Sequence, residues 1–280
     1  MKYSKKANKS IIAFFLLTFL LSIPFYILNV LASINIVGEP EMGGLYIALF
    51  TLTPITSASI LTFRRHGISG LKKLLSRTFD FRRITKKRWY IIIILISPLI
   101  FLLSLLGIVL SKSQIPDPLT PLVMLPAVFL FFFLLAAGEE VGWMGYAFEP
   151  MQERYKALLA ALMLGIIWAL WHLPFFIFMM PDLVDLTAQL LILIGIRLVA
   201  VWIFNNTGKN VFAVILFHAV DNTALVTFPE IKAVTPLGSL LVCGFVILTA
   251  IIIIMLWDAG TLTQYRFGRQ DSALPKENAT

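Results

Sequence analysis

Charge is what this sequence has least of: Asp, Glu, Lys and Arg make up 14% of its 280 residues, while 59% are hydrophobic. Soluble domains carry about a quarter of their residues charged, so the scarcity excludes most soluble folds. Polar faces at a 3.6-residue period are missing as well. Whole windows of about 20 residues are apolar all round, the length that crosses a bilayer. Cysteine is reduced to Cys243; an intrachain disulfide is excluded and a packed small apolar side chain is expected. There is no visible internal repeat, no H-E-x-x-H helix and no G-x-S-x-G elbow for a serine nucleophile.

What is present is a succession of apolar windows, near residues 11–33, 43–63, 89–110, 121–148, 157–179, 185–204, 209–227 and 236–257. They predict an all-α polytopic membrane protein of about eight transmembrane helices. Connectors such as "SQIPDP" and "NNTGK" carry the Pro, Gly and Asn residues of turns. Lys and Arg favour cytoplasmic loops. Placing the N-terminus inside puts Lys2, Lys5, Lys6, Lys9, the basic loop from Arg64 to Arg88, Arg154, Lys156, Lys209, Arg266, Arg269 and Lys276 inside as well. Only Lys112 and Lys232 then fall outside, and Arg197 alone lies within a span. Both termini are therefore expected in the cytoplasm of a cell-membrane protein.

The net charge of +8 follows from this topology and from attraction to anionic lipid, so the lipid bilayer is the expected partner and nucleic acid is not. The first segment has the Lys-then-apolar order of a signal peptide, but its run is too long and lacks an A-x-A site; it is read as an uncleaved span. The chain divides into N-terminal helices with the basic loop (1–118), a polar-containing helical core (119–227), a last span (228–258) and a polar tail (259–280) expected to be disordered.

A carboxylate at mid-bilayer costs on the order of 2.5–3.5 kcal/mol on insertion scales, so every ionisable residue there calls for a functional account. Glu139 and Glu140 end an apolar run in "LFFFLLAAGEEVGWMGYAF"; His172 lies in "GIIWALWHLPFF", Arg197 in the sixth window, and His218, Asp221 and Asn222 in "ILFHAVDN". Helical spacing gives each His a companion: Trp168 is four residues before His172, and Asn222 four after His218. Asp221 is placed to accept a ring N–H of His218 and fix its tautomer, an alternative to pairing across helices. At about 1.5 Å per residue, Glu139 and His218 lie roughly 13 Å from the cytoplasmic ends of their windows, but His172 lies nearer 22 Å. The mismatch disappears if residues 150–160 lie partly outside the bilayer.

Converged, these groups suit attack of water on a carbonyl, with Glu as general base and His and Asn as donors to the oxyanion. One Glu and two His, namely Glu139, His172 and His218, would equally be able to ligate zinc. Structural readings stand beside both: a bundle His often packs or bridges helices, Arg197 suits a counter-ion to a carboxylate, and Trp168, Trp171 and Trp202 suit packing or an interfacial belt. Pro174 is placed to free a carbonyl. Asn205, Asn206 and Gly208 read as a turn, and His66 as solvated.

In order, "EEVGWMGY", "GIIWALWHLP" and "WIFNNTGKNVFAVILFHAVDN" resemble the three motifs of the CPBP family of intramembrane proteases, which includes CAAX prenyl endopeptidases of the Rce1 type and bacterial Abi proteins linked to bacteriocin immunity. The resemblance covers roughly residues 120–226. It implies that Glu139 activates water with help from His172, that His218 and Asn222 stabilise the oxyanion, and that Glu140 is a supporting carboxylate or alternative base. It also implies a substrate that is the C-terminal segment of a membrane-anchored protein, prenylated in Rce1-type members, received by a cytoplasm-facing cavity. A non-catalytic protein of the same fold, acting in bacteriocin self-immunity or as a scaffold, is the alternative. The family's E-E-x-x-x-R pattern has Met144 in place of Arg. Arg197 is the candidate to replace that cation.

Overall fold

The computed structural model describes residues 2–34, 43–113, 121–180, 182–228 and 236–267. These residues form an all-helical bundle: α1 (Lys2–Ser33), α2 (Gly43–Thr51), α3 (Thr53–Ser76), α4 (Arg88–Leu110), α5 (Leu125–Gly142), α6 (Glu149–Tyr155), α7 (Ala157–Met179), α8 (Leu183–Asn206), α9 (Val211–Thr227) and α10 (Leu237–Leu256). A π-helical segment, Trp143–Phe148, joins α5 to α6. Six helical stretches are long and apolar enough to span a membrane, with α5, the π segment and α6 counted as one. The protein is a multi-pass membrane protein.

The other two apolar windows take different forms. Window 43–63 is broken at Leu52, because Pro54 lacks the N–H that would continue the helix and starts α3 instead. Window 209–227 becomes the 17-residue α9, begun by Asn210, whose side chain accepts from the Ala213 amide at 3.1 Å. Asp182 caps α8 in the same way, accepting from Val184 and Asp185. Pro174 does not end α7, and Tyr26 and Asn29 of α1 donate to the carbonyls of Trp171 and Pro174 beside it.

α8 is the central helix. Every side chain from Gly195 to Phe204 is buried, whereas α1, α4 and α10 expose Leu16, Ile91 and Met255, as helices facing lipid should. Close approach depends on glycine at two crossings. A Cβ on Gly142 would stand 2.6 Å from the Pro54 backbone, and one on Gly195 would stand 2.5 Å from Val246. These contacts seat α5 against α3, and α8 against α10, as small residues do between membrane helices.

The N-terminal half of α1, the basic segment after α3, α6 and the residues after α10 meet at one end of the bundle. Arg77 donates to the Gly145 carbonyl at 2.7 Å and pairs with Glu149. The amides of Ala157 and Leu158 bond to the carbonyls of Gly260 and Ala259. The segment after α10 is clasped by Asn205 and Asn206, whose amide groups donate to the Thr261 and Leu262 carbonyls. Those two residues therefore do more than make a turn. The tail beyond residue 267 lies outside the described residues.

Candidate active site

The two glutamates sit in the last turns of α5, just before its backbone widens into the π segment. Single π turns of this kind are frequent at functional sites. Adjacent residues on a helix point about 100° apart, and the two carboxylates meet different surroundings. Glu140 points into the bundle: Arg197 Nη1 donates to its Oε2 at 2.7 Å and His218 Nδ1 lies 2.9 Å from its Oε1. Both oxygens are occupied. Glu139 accepts from Trp168 Nε1 at 2.8 Å and faces a cavity of about 500 Å³.

Trp168 links the elements. Its ring lies edge-on to His172 and His218, with centroids 4.9 and 5.5 Å away, and the Arg197 guanidinium stands 4.0 Å from its centroid. Arg197 is 1% exposed. Among the described residues its Nε and Nη2 have no hydrogen-bond partner, so the ion pair with Glu140 and the indole face hold its charge. His172 Nδ1 lies 2.9 Å from the Trp168 carbonyl. A carbonyl only accepts, so Nδ1 carries the hydrogen, and in the neutral ring Nε2 bears the lone pair.

The cavity wall takes Glu139 from α5, His172 from α7, and His218, Asp221 and Asn222 from α9. Four of the five expected site residues thus share one wall, while Glu140 lies behind it. Of the two partners open to His218, the one across helices holds its Nδ1, namely Glu140; Asp221 helps to line the cavity. The remaining lining is largely apolar, including Phe132, Phe176, Met180 and Leu225.

The depth mismatch of His172 resolves through the ends of the helices. α6 runs to Tyr155, the chain breaks at Lys156 with φ of 63°, and α7 starts at Ala157 beside the segment that follows α10. His172 is followed back along α7 to Ala157 over more residues than His218 along α9 to Val211, a difference of about 12 Å of helical rise. Trp168 was legible only as a neighbour of His172; its bond to Glu139 crosses helices and leaves no mark on spacing. Met144 is fully buried within the π segment, and the cation comes from α8 in its place.

No group of three or more His, Cys, Asp or Glu among the described residues is arranged to hold an ion.

Residues 120–224 match the family described as "Type II CAAX prenyl endopeptidase Rce1-like". The chain is also similar to a protein named CAAX prenyl protease 2 from Methanococcus maripaludis, with 25% identity over 229 residues, 76% of this chain and 83% of that one. The segment matched by the Rce1-like family contains every glutamate, histidine and asparagine of the cavity wall, together with Trp168 and Arg197.

Proposed function

We propose that the protein is a membrane-embedded endopeptidase of the CAAX type, which cuts near the C-terminus of a membrane-anchored protein by glutamate-activated attack of water. One observation carries the reading: of two adjacent buried carboxylates, Glu140 is saturated by Arg197 and His218, and Glu139 faces the cavity with one oxygen held by Trp168. A saturated carboxylate is a poor base. The other is oriented and has room for water.

In this reaction a water between Glu139 and His172 gives its proton to Glu139 as its oxygen bonds to the substrate carbonyl carbon. His172 Nε2 accepts the second hydrogen bond of that water and orients it. Negative charge gathers on the carbonyl oxygen, where the Asn222 amide donates and His218, as an imidazolium whose Nδ1–H donates to Glu140, donates from Nε2; such preorganised donors are worth several kcal/mol where water is excluded. The C–N bond then breaks, and the proton held by Glu139 passes to the leaving amine. Glu140 and Arg197 do not touch substrate in this scheme. They hold His218 with its Nδ1 hydrogen toward Glu140 and its Nε2 toward the cavity. The apolar cavity accommodates the lipid or apolar side chains that anchor the substrate, and a held anchor raises the effective concentration of the scissile bond.

The test is cleavage of a panel of C-terminal peptides, prenylated, otherwise lipidated and unmodified, by the purified protein in detergent beside Glu139→Gln. Cleavage that disappears in the folded variant supports the reading. Cleavage that survives it excludes Glu139 as the base. No cleavage of any peptide by folded protein favours a non-catalytic role for the same wall of residues.

A further inference from the structure

Three side chains of α1 converge on one turn of α7. Ser22, Tyr26 and Asn29 have the four- and three-residue spacing that places side chains on one face of a helix. Trp171 Nε1 donates to Ser22 Oγ at 2.8 Å, Tyr26 OH donates to the Trp171 carbonyl at 2.8 Å, and the Asn29 amide donates to the Pro174 carbonyl at 3.0 Å. His172 lies between the two residues so held.

Ser22 is itself fixed. It is buried, its hydroxyl donates to the Thr18 carbonyl at 2.8 Å, and its oxygen lies 3.0 Å from Thr53 Oγ1. With its hydrogen committed to Thr18, Ser22 accepts from both Trp171 and Thr53, the full capacity of a hydroxyl. One oxygen atom thus ties α1, α3 and α7 together.

The turn is one that needs holding. Pro174 has no N–H for the carbonyl of Leu170, so α7 lacks one of its own hydrogen bonds where it carries His172. Among the described residues, the one hydrogen-bond contact of the His172 ring, Nδ1 to the Trp168 carbonyl, lies within α7 and moves with it. The ring is otherwise packed by aromatic neighbours: Trp171 lies edge-on at 4.6 Å and Phe176 stacks at 5.5 Å. Trp171 in turn stacks on Phe50 of the cavity wall, with centroids 4.0 Å apart. One turn earlier, Trp168 ties α7 to Glu139. His172 therefore sits between two tethers, one to the proposed base and one to α1.

From this convergence we infer that Ser22, Tyr26 and Asn29 are positioning residues for the reaction: they fix the turn of α7 that bears His172, and with it the direction of His172 Nε2. None of the three lines the cavity, and α1 lies outside the segment matched by the Rce1-like family. The role of His172 rests on the peptidase reading; the attachment of its turn to α1 does not.

The test pairs kinetics with a direct view of the ring. Tyr26→Phe and Asn29→Leu each remove one donor and keep most of the side-chain volume. In the double variant kcat for a cleaved peptide is expected to fall about tenfold, short of the 10²-fold that an ångström of misplacement costs, with KM unchanged. The chain has three histidines, so ¹⁵N-histidine labelling gives three sets of ring signals, assigned by His66→Gln, His172→Gln and His218→Gln. The His172 signals should shift or broaden in the double variant while those of His66 and His218 stay in place. Where the double variant does not fold, Tyr26→Phe, which removes only a hydroxyl, is read in the same way. His172 signals that do not move would overturn the inference whatever the activity, as would an unchanged kcat or an equal disturbance of His218. If the unaltered protein cleaves no peptide, the peptidase reading fails by itself, and the ring signals still decide whether α1 fixes that turn.

Discussion

The two halves of the bundle on either side of Glu139 and Glu140 are built from equally apolar helices but packed to different ends. Toward the basic end the space is filled by aromatic and methionine side chains, and the buried Arg197 is matched to Glu140. Toward the other end the same helices leave about 500 Å³ unfilled, bordered by Glu139, two histidines and an asparagine. Composition is therefore not what makes a site in this protein. The difference lies in whether a polar group is given a complete set of partners or left facing a space.

The sharpest way to break this comparison is on the cavity side. Glu139→Gln removes the proposed base and is expected to lower kcat by about 10²–10⁴-fold, the usual worth of a general base, with little change in melting temperature. An equal loss in Glu140→Gln with unchanged stability would put the base on the wrong carboxylate. On the packed side the effect should fall on folding. Arg197→Met strands a buried carboxylate and should cost about 3–5 kcal/mol, read as a fall in folded yield and melting temperature. The double variant Arg197→Met/Glu140→Gln should regain part of that loss, and identical melting of the single and double variants would show that the pair is not coupled.

Smaller effects sharpen the boundary. Gly142→Ala puts a Cβ against the Pro54 backbone, an overpacking that should cost about 1–3 kcal/mol in a thermal melt. Leu225→Trp fills part of the cavity and should raise KM roughly tenfold for substrates with bulky apolar anchors, sparing kcat and stability. Furthest from both halves lies Asp258. Slight burial pushes its carboxyl up, but hydrogen bonds from Gln264, Thr261 and Thr263 outweigh this and hold it below the usual carboxylate range. A depressed folded value contributes stability that is present above the ordinary Asp range and lost as pH falls through the folded value. Hydrogen exchange in residues 258–265 should therefore accelerate below about pH 4, and should lose that step in Asp258→Asn.

Much of this was legible in one dimension. Hydropathy marks eight apolar windows, six of which hold helices long enough to span among the described residues, because a bilayer selects on length and polarity summed along a helix. Glu139, His172, His218 and Asn222 stand out because ionisable and amide groups in such runs are costly. Other features depend on neighbours that sequence spacing does not reveal. The second window looks continuous, but Pro54 breaks it where α5 passes at Gly142. His172 looks too deep by about six residues at 1.5 Å each, and the amides at the start of α7 bond to the carbonyls of Ala259 and Gly260, far along the chain. Asp221 looks like the partner of His218 because it is three residues along the same helix, while Glu140 reaches the ring from another.

The amino-acid sequence by itself determined that this chain crosses a membrane, which end is basic, and which polar residues must be accounted for inside it. These are properties of single helices in a solvent, and they need no knowledge of how helices are staggered. Tertiary structure decided which glutamate faces the cavity, that Arg197 serves where Met144 provides no charge, and where the bundle leaves a cavity. Each of these turns on a rotation of about 100° or a shift of a few residues between helices, and only the packing of side chains such as Trp168 and Gly142 sets them.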